Sequence, residues 1–470
     1  MIATVHTSGF GRTGFGGLSM AICPDMMFSL RRFVRFVFAF LLGGLSVAAI
    51  GAEPLADPAS LSSDLGQLTL RQAEIFFAAR NREVQLGRRL VEGAEADRVS
   101  ASARPNPTVA ASTSKFNSRQ GNYSGDLREK QMDSVFGVQQ LFERGNKREL
   151  RMGIADFNIS ASRGESADIE RQQRVALYSA YYDLVAAQER LKIAGETAAA
   201  YQKTIDAVEK RLKAGDISAS DVARIRVDAL RAQNDARAAE AERLKAQTQL
   251  AYTIGVEKDA AKLGAADGWP AAANDATAAD LEKVLGGRAD VQAARARIAA
   301  AEKGRDLARA LRTRDVTGMV QFEHFPGDFS NNTFGVGVSI PLFTNYYYEG
   351  EIRRAEVDLL AARDNHERVR ALVLGDIAAR RADLESARER VRRFDDALLK
   401  EAQRAADAAE FAYTRGAIGV MDLLDARRQL YATRLEASAT RADHAKSLAA
   451  WQAAIAVTDI GVAVEGARQQ

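Results

Sequence analysis

The chain repeats two short patterns at a fixed offset of 201 residues. A Leu-Phe pair closes an alternating, strand-like stretch in each half, and a Gly followed by an Asp lies in the only break of a long helical pattern. The matching positions are Leu141-Phe142 and Leu342-Phe343, and Gly215 with Asp221 and Gly416 with Asp422. A unit of two strands and a long helical hairpin is therefore predicted to occur twice, and missing this repeat would misassign the whole fold.

The composition favours long helices and gives no strong attraction to nucleic acid. The net charge is +3 over 470 residues, 47% of which are hydrophobic and 27% charged, which does not indicate a polyanionic partner. Only 8 prolines occur, and none lies between Thr108 and Trp269 or after Pro341. Proline-free runs rich in Ala, Arg, Glu, Gln and Leu are typical of long helices.

The first part of the chain has the pattern of a secretory signal peptide. Basic residues at 31–35 precede a 15-residue apolar segment, 36–50, and small residues follow with a cleavage site after Ala52. Met26 or Met27 is the better start, which makes residues 1–25 a candidate for a mis-called extension.

Cysteine chemistry is excluded from the predicted mature chain. The only cysteine, Cys23, lies upstream of the apolar segment. The mature chain therefore has no disulfide, no thiolate metal site and no cysteine at the cleavage point that could carry a lipid.

Strand-like alternation indicates a sheet with one lipid-facing side. Five apolar residues alternate with small or polar ones, as in a membrane β-strand: Phe334, Val336, Val338, Ile340 and Leu342. The predicted strands are 107–116, 132–141, 316–325 and 334–342, with a polar loop at 117–130. Four strands cannot close a barrel and an open edge in lipid is not viable, so the chain must oligomerise. The alternative is a small soluble sheet packed on helices.

The helical pattern predicts two very long hairpins. Outgoing helices at 148–213 and 352–415 would each be roughly 95 to 100 Å long, and return helices follow at 218–254 and 418–457. Small apolar residues at heptad-like spacing favour close helix pairs. Charged residues on the return helix are assigned to solvated faces: Arg224, Arg226, Asp228 and Arg231. Shorter helices, 69–103 with a capping box at Thr69 and Gln72, and 281–312, precede the strand pairs.

These elements define the predicted domains. They are a signal peptide 1–52, a linker 53–66, a first repeat 67–255 with strand pair 107–142 and hairpin 148–254, a connector 256–280 with little structure of its own, a second repeat 281–457 with strand pair 316–343 and hairpin 352–457, and a tail 458–470.

No enzyme or cofactor signature occurs. The sequence has no phosphate loop, nucleophile elbow or paired histidine and carboxylate at catalytic spacing. The three histidines of the mature chain, His324, His366 and His444, lie on separate elements without a partner at ligand spacing, so each is predicted to be a surface or satisfied residue and not a metal ligand. Catalytic, cofactor and metal sites are all predicted to be absent.

The chain resembles the TolC-type outer-membrane factors, the exit ducts of tripartite efflux pumps and type I secretion systems. The resemblance covers about residues 67–460. Its most specific part is the second tip, where Tyr413, Gly416, Asp422 and Asp425 follow the family pattern. The first tip keeps Gly215 and Asp221 but has Arg224 in place of the second aspartate.

The resemblance implies a mainly α fold in which three chains contribute four strands each to a twelve-stranded β-barrel, with the helices forming a periplasmic tunnel. It implies location in the outer membrane with contact to lipid, and it implies two partners, a periplasmic adaptor and an inner-membrane pump of the resistance-nodulation-division (RND) type. A rival class that remains open is a periplasmic coiled-coil adaptor or scaffold without a barrel.

The segment Arg104-Pro-Asn-Pro107 is similar to a loop common in the CzcC-like, heavy-metal branch of that family. It favours export of divalent cations, with multidrug efflux and type I protein secretion as alternatives. Its physical role is a turn, because proline disfavours helix at the preceding residue.

The second tip supplies the candidate functional residues. Asp422 and Asp425 are spaced i, i+3 at a helix start and share a face, so three protomers would place up to six carboxylates in a ring that favours cations. The family uses aspartates at these positions to constrict the periplasmic aperture. The alternative is capping and dipole stabilisation, which is the main role expected for Asp221. Ile418 stands where some relatives carry an arginine that ties the tip shut, so the closing network must differ here.

The glycines of the two breaks are predicted to allow tight turns, because glycine accepts positive φ. The resemblance implies that the surrounding segments meet the hairpin of the adaptor. The residues assigned to tip turns and adaptor contact are Gly215, Asp221, Tyr413 and Gly416.

Overall fold

The computed structural model describes residues 65–114, 133–272, 280–325 and 331–458. The predicted signal peptide, most of the 53–66 linker, the polar loop 117–130 and nearly all of the 458–470 tail lie outside the described residues. The mainly α prediction with a small β part is confirmed.

Nine α-helices and four strands make up the described part of the chain. In chain order they are α1 (Leu70–Arg80), α2 (Arg82–Ser102), β1 (Thr108–Ser114), β2 (Asp133–Phe142), α3 (Lys147–Lys213), α4 (Ala219–Ile254), α5 (Leu281–Gly287), α6 (Ala289–Ala310), β3 (Val316–Phe325), β4 (Asn331–Ser339), α7 (Glu349–Arg393), α8 (Leu399–Thr414) and α9 (Val420–Ala454). A π-helical turn, Phe394–Leu398, joins α7 directly to α8, with no loop between them.

Each predicted short helix is broken once. Asn81 separates α1 from α2, because its side chain accepts a hydrogen bond from the Val84 amide and donates one to the Thr253 carbonyl. Arg288 separates α5 from α6 and donates to the Ala454 carbonyl at 3.4 Å. Both breaking residues therefore bind the last turn of a return helix, a long-range contact that helical periodicity cannot reveal.

The four strands form one antiparallel sheet in the order β1-β2-β3-β4. The central β2–β3 pairing joins the two halves of the chain, with Phe136 opposite Phe322 and Val138 opposite Val320. The outer strands β1 and β4 each have one unpaired edge among the described residues. The predicted strand positions are confirmed to within a few residues at their ends.

One face of the sheet is apolar and exposed. Phe334 and Val336 are 81% and 87% exposed, and Phe136 and Val320 are more than half exposed. The opposite face carries Gln321 and Glu323 of β3, whose side chains hydrogen-bond each other. Period-two alternation therefore separates the sheet into an apolar and a polar side.

Three apolar clusters hold the helices together. The first packs α1 against α3 and α4 around Phe77, Tyr181 and Leu250. The second lies at the hairpin tips around Val208, Ile225 and Leu424. A third joins α5, α6, α7 and α9 around residues such as Leu285, Ile377 and Trp451.

The connector prediction is wrong for residues 256–272. This segment contains a 3-10 helix, Glu257–Lys262, and Leu263 is buried. Trp269 stacks on Tyr182 with ring centroids 6.1 Å apart and donates to Glu189 at 3.0 Å. The few large apolar residues in this Ala- and Gly-rich stretch dock it onto α3, because burial of apolar surface stabilises the contact.

No helix in the described ranges combines the length and the apolarity needed to cross a membrane.

Candidate pore aperture at the hairpin tips

Both hairpins turn through a glycine in the left-handed region. Gly215 has φ 83° and Gly416 has φ 75°, a conformation that side chains with a Cβ adopt at a cost. The amide three residues after the end of each outgoing helix donates to a carbonyl five residues earlier, Asp216 to Arg211 and Ala417 to Ala412, both at 2.9 Å. This pattern satisfies carbonyls at the helix end and accounts for the two predicted breaks.

The first aspartate of each return helix acts at the helix N-terminus. The Asp221 amide donates to Ser218 Oγ at 3.1 Å, and Ser218 Oγ donates to the Asp221 carboxylate at 2.6 Å. In the second tip the Gly419 amide donates to Asp422 Oδ2 at 3.2 Å. Each carboxylate thus lies where the helix dipole favours negative charge, so the capping interpretation holds for both.

Asp425 lies one turn further along α9 and is exposed. Its carboxylate accepts a hydrogen bond from Arg428 at 2.7 Å, in an i, i+3 pair, and its side chain is 69% exposed. Asp422 and Asp425 therefore lie together on the exposed start of α9, as the spacing predicted.

Arg428 also binds Asp228 of α4, which belongs to the other hairpin. Asp228 is only 6% exposed, so its prediction as a solvated residue is wrong. The hydrogen bond to Asp228 is the main reason that the pKa of Arg428 is raised. Without this partner the buried carboxylate would keep only a longer, 3.8 Å contact with Arg231, and much of its charge would be uncompensated.

Tyr201 of α3 is buried beside this ion pair. Burial raises the pKa of the Tyr201 hydroxyl, and the negative charge of Asp228 raises it further, while Arg428 opposes the shift. The Tyr201 phenol therefore stays neutral, so the charged groups here are Asp228, Asp425 and Arg428.

Two more polar contacts join the hairpins near the tip. Arg211 at the end of α3 donates to the Tyr413 hydroxyl at 3.1 Å and lies 5.8 Å from the centroid of that ring. Arg427 of α9 donates to Thr204 of α3 at 2.7 Å. Apolar packing of Leu424 with Val208 and Ile225 accompanies them. The two tips are thus linked by charge, hydrogen bonds and apolar contact.

The histidines lie apart from the tips. His324 Nδ1 is 2.7 Å from Asn332 Oδ1, His366 lies 3.4 Å from Glu367, and burial lowers the pKa of His444. Across the described ranges, no group of three His, Cys, Asp or Glu side chains could hold a metal ion.

Sequence reasoning missed Asp228, Arg428 and Arg211 as partners across the hairpins. A signal for Asp228 was present, because it adjoins the stripe of Val222, Ile225 and Ala229 that packs the helix pair. Its partner could not be found this way, since Arg428 lies 200 positions further along the chain.

The comparisons agree with this fold. A model of the outer membrane efflux protein family matches residues 77–256 and 281–457. The cobalt-zinc-cadmium resistance protein CzcC of Cupriavidus metallidurans is 23% identical over 398 residues, which cover 84% of this chain and 92% of that protein.

Two solved structures are similar over nearly their full length. The outer membrane protein VceC of Vibrio cholerae has a TM-score of 0.68 at 19% identity, covering 83% of this chain and 96% of VceC. CusC, whose structures describe transmembrane channel formation, has a TM-score of 0.71 at 18% identity, covering 87% and 98%. With the family model matched over most of the described helices and strands, the chain belongs to the outer membrane efflux protein family.

Proposed function

We propose that this protein is the outer-membrane channel of a tripartite efflux system, a passive exit duct for divalent heavy-metal cations. The observation that carries the proposal is the sheet: one face is apolar and exposed, and each outer strand has one edge that no other described strand pairs with. An apolar face suits lipid, and free edges in lipid demand further strands.

Three copies would supply those strands and form a twelve-stranded barrel. The helical hairpins would extend from it into the periplasm, since α3 alone has 67 residues and is about 100 Å long. Two matching units support this interpretation, because Leu250 and Trp451, 201 positions apart, lie in the first and third apolar clusters.

Metal export is favoured by the CzcC relative and by the Arg104-Pro107 segment. The residues that would act on cations are Asp422 and Asp425, which a trimer would repeat as a ring of up to six carboxylates. Such a ring attracts cations and repels anions. The duct would need no tight metal site, because an inner-membrane pump and a periplasmic adaptor would deliver the cargo and supply the energy.

The tip contacts would hold the aperture closed. Opening requires the second hairpin to move away from the first, and that movement breaks the contact of Arg428 with Asp228, of Arg427 with Thr204 and of Arg211 with Tyr413. The adaptor would bind near the turns at Gly215 and Gly416, where it could exchange these contacts for its own.

Native mass spectrometry of protein extracted from outer membranes with detergent tests the assembly. A trimer from that fraction is the expected result. Release by salt, as a monomer or dimer, would instead identify a periplasmic adaptor or scaffold and overturn the channel.

Metal sensitivity of a deletion strain tests the cargo. Growth should fall on cobalt, zinc or cadmium, and the wild-type gene should restore it. Unchanged metal tolerance together with new sensitivity to drugs, or with a lost secreted protein, would assign the duct to multidrug efflux or type I secretion.

A further inference from the structure

Two arginines extend the apolar face of the sheet at its helix-side end. Arg144 and Arg314 are exposed and lie two residues beyond the paired strand ends Phe142 and Val316. The two-residue period of a strand places them in line with the apolar side chains, including Val320. The apolar face therefore ends at a pair of cations on the side where the helices begin.

The acidic side chains near these cations bind other groups. Glu351 accepts from the Tyr346 hydroxyl at 2.5 Å, and Glu349 accepts from the Tyr347 amide at 3.0 Å. Glu143 is engaged by Arg151, with a 2.9 Å bond between Oε2 and Nη2. Asp315 accepts from Lys147 Nζ at 2.8 Å and from the backbone amide of residue 144 at 2.9 Å. Within the described ranges, neither exposed guanidinium has a carboxylate at ion-pair distance. Arg144 and Arg314 can each accept an anionic ligand.

A cluster of aromatic rings lies beside Arg314. Its guanidinium is 5.3 Å from the centroid of the Phe343 ring, and Tyr347 and Tyr348 meet that ring edge-on at 6.4 and 5.3 Å. Tyr346 and Tyr347 are 49% and 46% exposed. Rings with an apolar body and a polar tip suit the boundary between hydrocarbon and water.

The backbone of this aromatic cluster is strained at Tyr348. Tyr348 has φ 62°, an uncommon conformation for a bulky residue that persists only when the surroundings fix it. Arg312 Nε donates to the Tyr347 carbonyl at 3.1 Å, which anchors the tyrosine run against the strand end of β3.

The height of the apolar face matches a bilayer. A second aromatic row crosses the sheet at Phe136, Phe322 and Phe334. Phe322 and Arg314 are 8 residues apart, about 26 Å along a strand. At the tilt of about 40° usual for barrel strands this is roughly 20 Å along the membrane normal. Membrane barrels carry an apolar band about 25 Å tall with aromatic girdles at both ends, so the arginines fall near the boundary of that band, within reach of lipid headgroups.

We propose that Arg144 and Arg314, with the tyrosines 346 and 347, form a binding site for the phosphate of an anionic glycerophospholipid in the leaflet that faces the helices. This inference rests on the proposed function, which places the sheet in the outer membrane. Guanidinium groups bind phosphate in a bidentate manner, and the tyrosine rings would pack on the glycerol and upper acyl region.

Native mass spectrometry of the detergent-solubilised oligomer tests the site. The wild-type protein is incubated with equimolar phosphatidylglycerol and phosphatidylethanolamine, and the ratio of the bound lipids is read from the mass of each adduct. Each basic residue near an anionic lipid surface contributes about a fivefold preference. The R144Q/R314Q variant should therefore lower the ratio of bound phosphatidylglycerol by roughly 25-fold, and each single variant by about fivefold.

The R237Q/R404Q variant is the matched control, because it removes the same charge from exposed positions on the hairpins and should bind lipid like the wild type. If the double variant does not assemble, the single variants carry the test. An unchanged lipid ratio in both single variants overturns the site. Displacement of phosphatidylglycerol by millimolar inorganic phosphate would also overturn it as a lipid site and assign it to soluble phosphate.

The same spectra separate this inference from the proposed function. A wild-type protein that is not an oligomer from the outer membrane defeats the channel itself. A wild-type trimer without a preference for phosphatidylglycerol defeats only the lipid site.

Discussion

The two hairpins differ most in their outgoing helices. In the first, α3 runs through 67 residues without interruption and buries Tyr201, Thr204 and Val208 near its tip. In the second, a π-helical turn at Phe394–Leu398 interrupts the helix, and α8 beyond it buries only Ala406 among its 16 residues. The same kind of element is thus well packed in one half and poorly packed in the other.

We infer from this difference that the second hairpin is the part of the proposed channel that moves. Segments with few buried apolar side chains open at low free energy, and π-helical turns are frequent at functional sites. The candidate aperture residues Asp422 and Asp425 also lie on the second hairpin. The first hairpin would then be the fixed wall against which the second one closes.

The largest effect is expected from breaking the contact between the hairpins. Arg428→Ala leaves the buried Asp228 with only a 3.8 Å contact to the exposed Arg231. We expect the free energy of unfolding to fall by about 2 kcal/mol. This is less than the 3–5 kcal/mol typical of breaking a fully buried pair, because the Arg428 side chain is 45% exposed. The closed aperture should open, and single-channel conductance in planar bilayers should rise.

Arg226→Gln is the control for that change. It removes an arginine whose partner, Glu209, lies in the same first hairpin, so conductance should not change. The charge-swapped variant D228R/R428D should return conductance towards the wild-type level. Wild-type conductance in Arg428→Ala would contradict the role of this contact in closure.

The next effect is a difference between Asp422 of the second tip and Asp221, its counterpart in the first tip. D422A/D425A should lower the ratio of cation to anion permeability severalfold, because it removes the proposed ring of carboxylates. Asp221→Ala, at the position 201 residues earlier, should cost about 0.5 kcal/mol, because it removes a negative charge from the first turn of α4, and it should leave permeability unchanged. Reversal potentials in a salt gradient measure both. Unchanged conductance and cation selectivity in the double variant would remove the aperture role.

A smaller effect distinguishes the segment between β2 and α3 from the segment between β4 and α7. Ion pairs such as that of Glu143 with Arg151 stabilise the first segment, and contacts among Phe343, Tyr347 and Tyr348 stabilise the second. The hydrogen bond from Arg151 holds the pKa of Glu143 below its usual value of 4.5. A lowered folded-state pKa adds stability that is complete above 4.5 and is lost as the pH falls through the lower folded value.

Glu143→Gln should therefore destabilise the protein by about 1.5 kcal/mol at pH 7, and the difference should shrink below pH 4.5. Thermal unfolding of both proteins from pH 7 to pH 3 measures this trend. Thr344→Val, at the matching position of the second junction, should show no such pH dependence. A difference that stays constant with pH would rule out the charged contact as the cause.

The smallest effect tests the π-helical turn. Deleting Ala397, which is exposed, should restore regular helix from α7 into α8, since a π-bulge contains one extra residue. Hydrogen exchange in α8 should slow, while exchange at the end of α3 stays the same. Faster or unchanged exchange in α8 would show that the turn is not what loosens the second hairpin.

Much of the fold follows from short-range patterns. Thr69 and Gln72 form the predicted capping box, with the Gln72 side chain accepting from the Thr69 amide at 2.9 Å. The helix breaks fall at Gly215 and Gly416 as predicted, because both need a positive φ. These features depend on hydrogen bonds and backbone angles within a few residues, which a sequence displays directly.

Other features depend on contacts that no local pattern contains. The helix breaks at Asn81 and Arg288, the packing of residues 256–272 and the π-helical turn were all missed. Asn81, for example, is placed by the carbonyl of Thr253, which lies 172 positions away. The candidate site shows the same division, since the spacing predicted that Asp422 and Asp425 share a helix face but not that Arg428, which binds Asp425, also binds Asp228.

By itself, the sequence determined two strand pairs, two long hairpins, the apolar face of the sheet and the acidic second tip. The periodicity of apolar residues, the conformation of glycine and helix capping all act over a few residues, so they fix local structure before any tertiary contact forms. Only the tertiary structure decided that the two tips lie side by side and that Arg428 serves both Asp425 and the buried Asp228. That pairing joins residues 200 positions apart, and loss of the arginine is costly because the carboxylate is buried, a condition that exists only after the hairpins have packed.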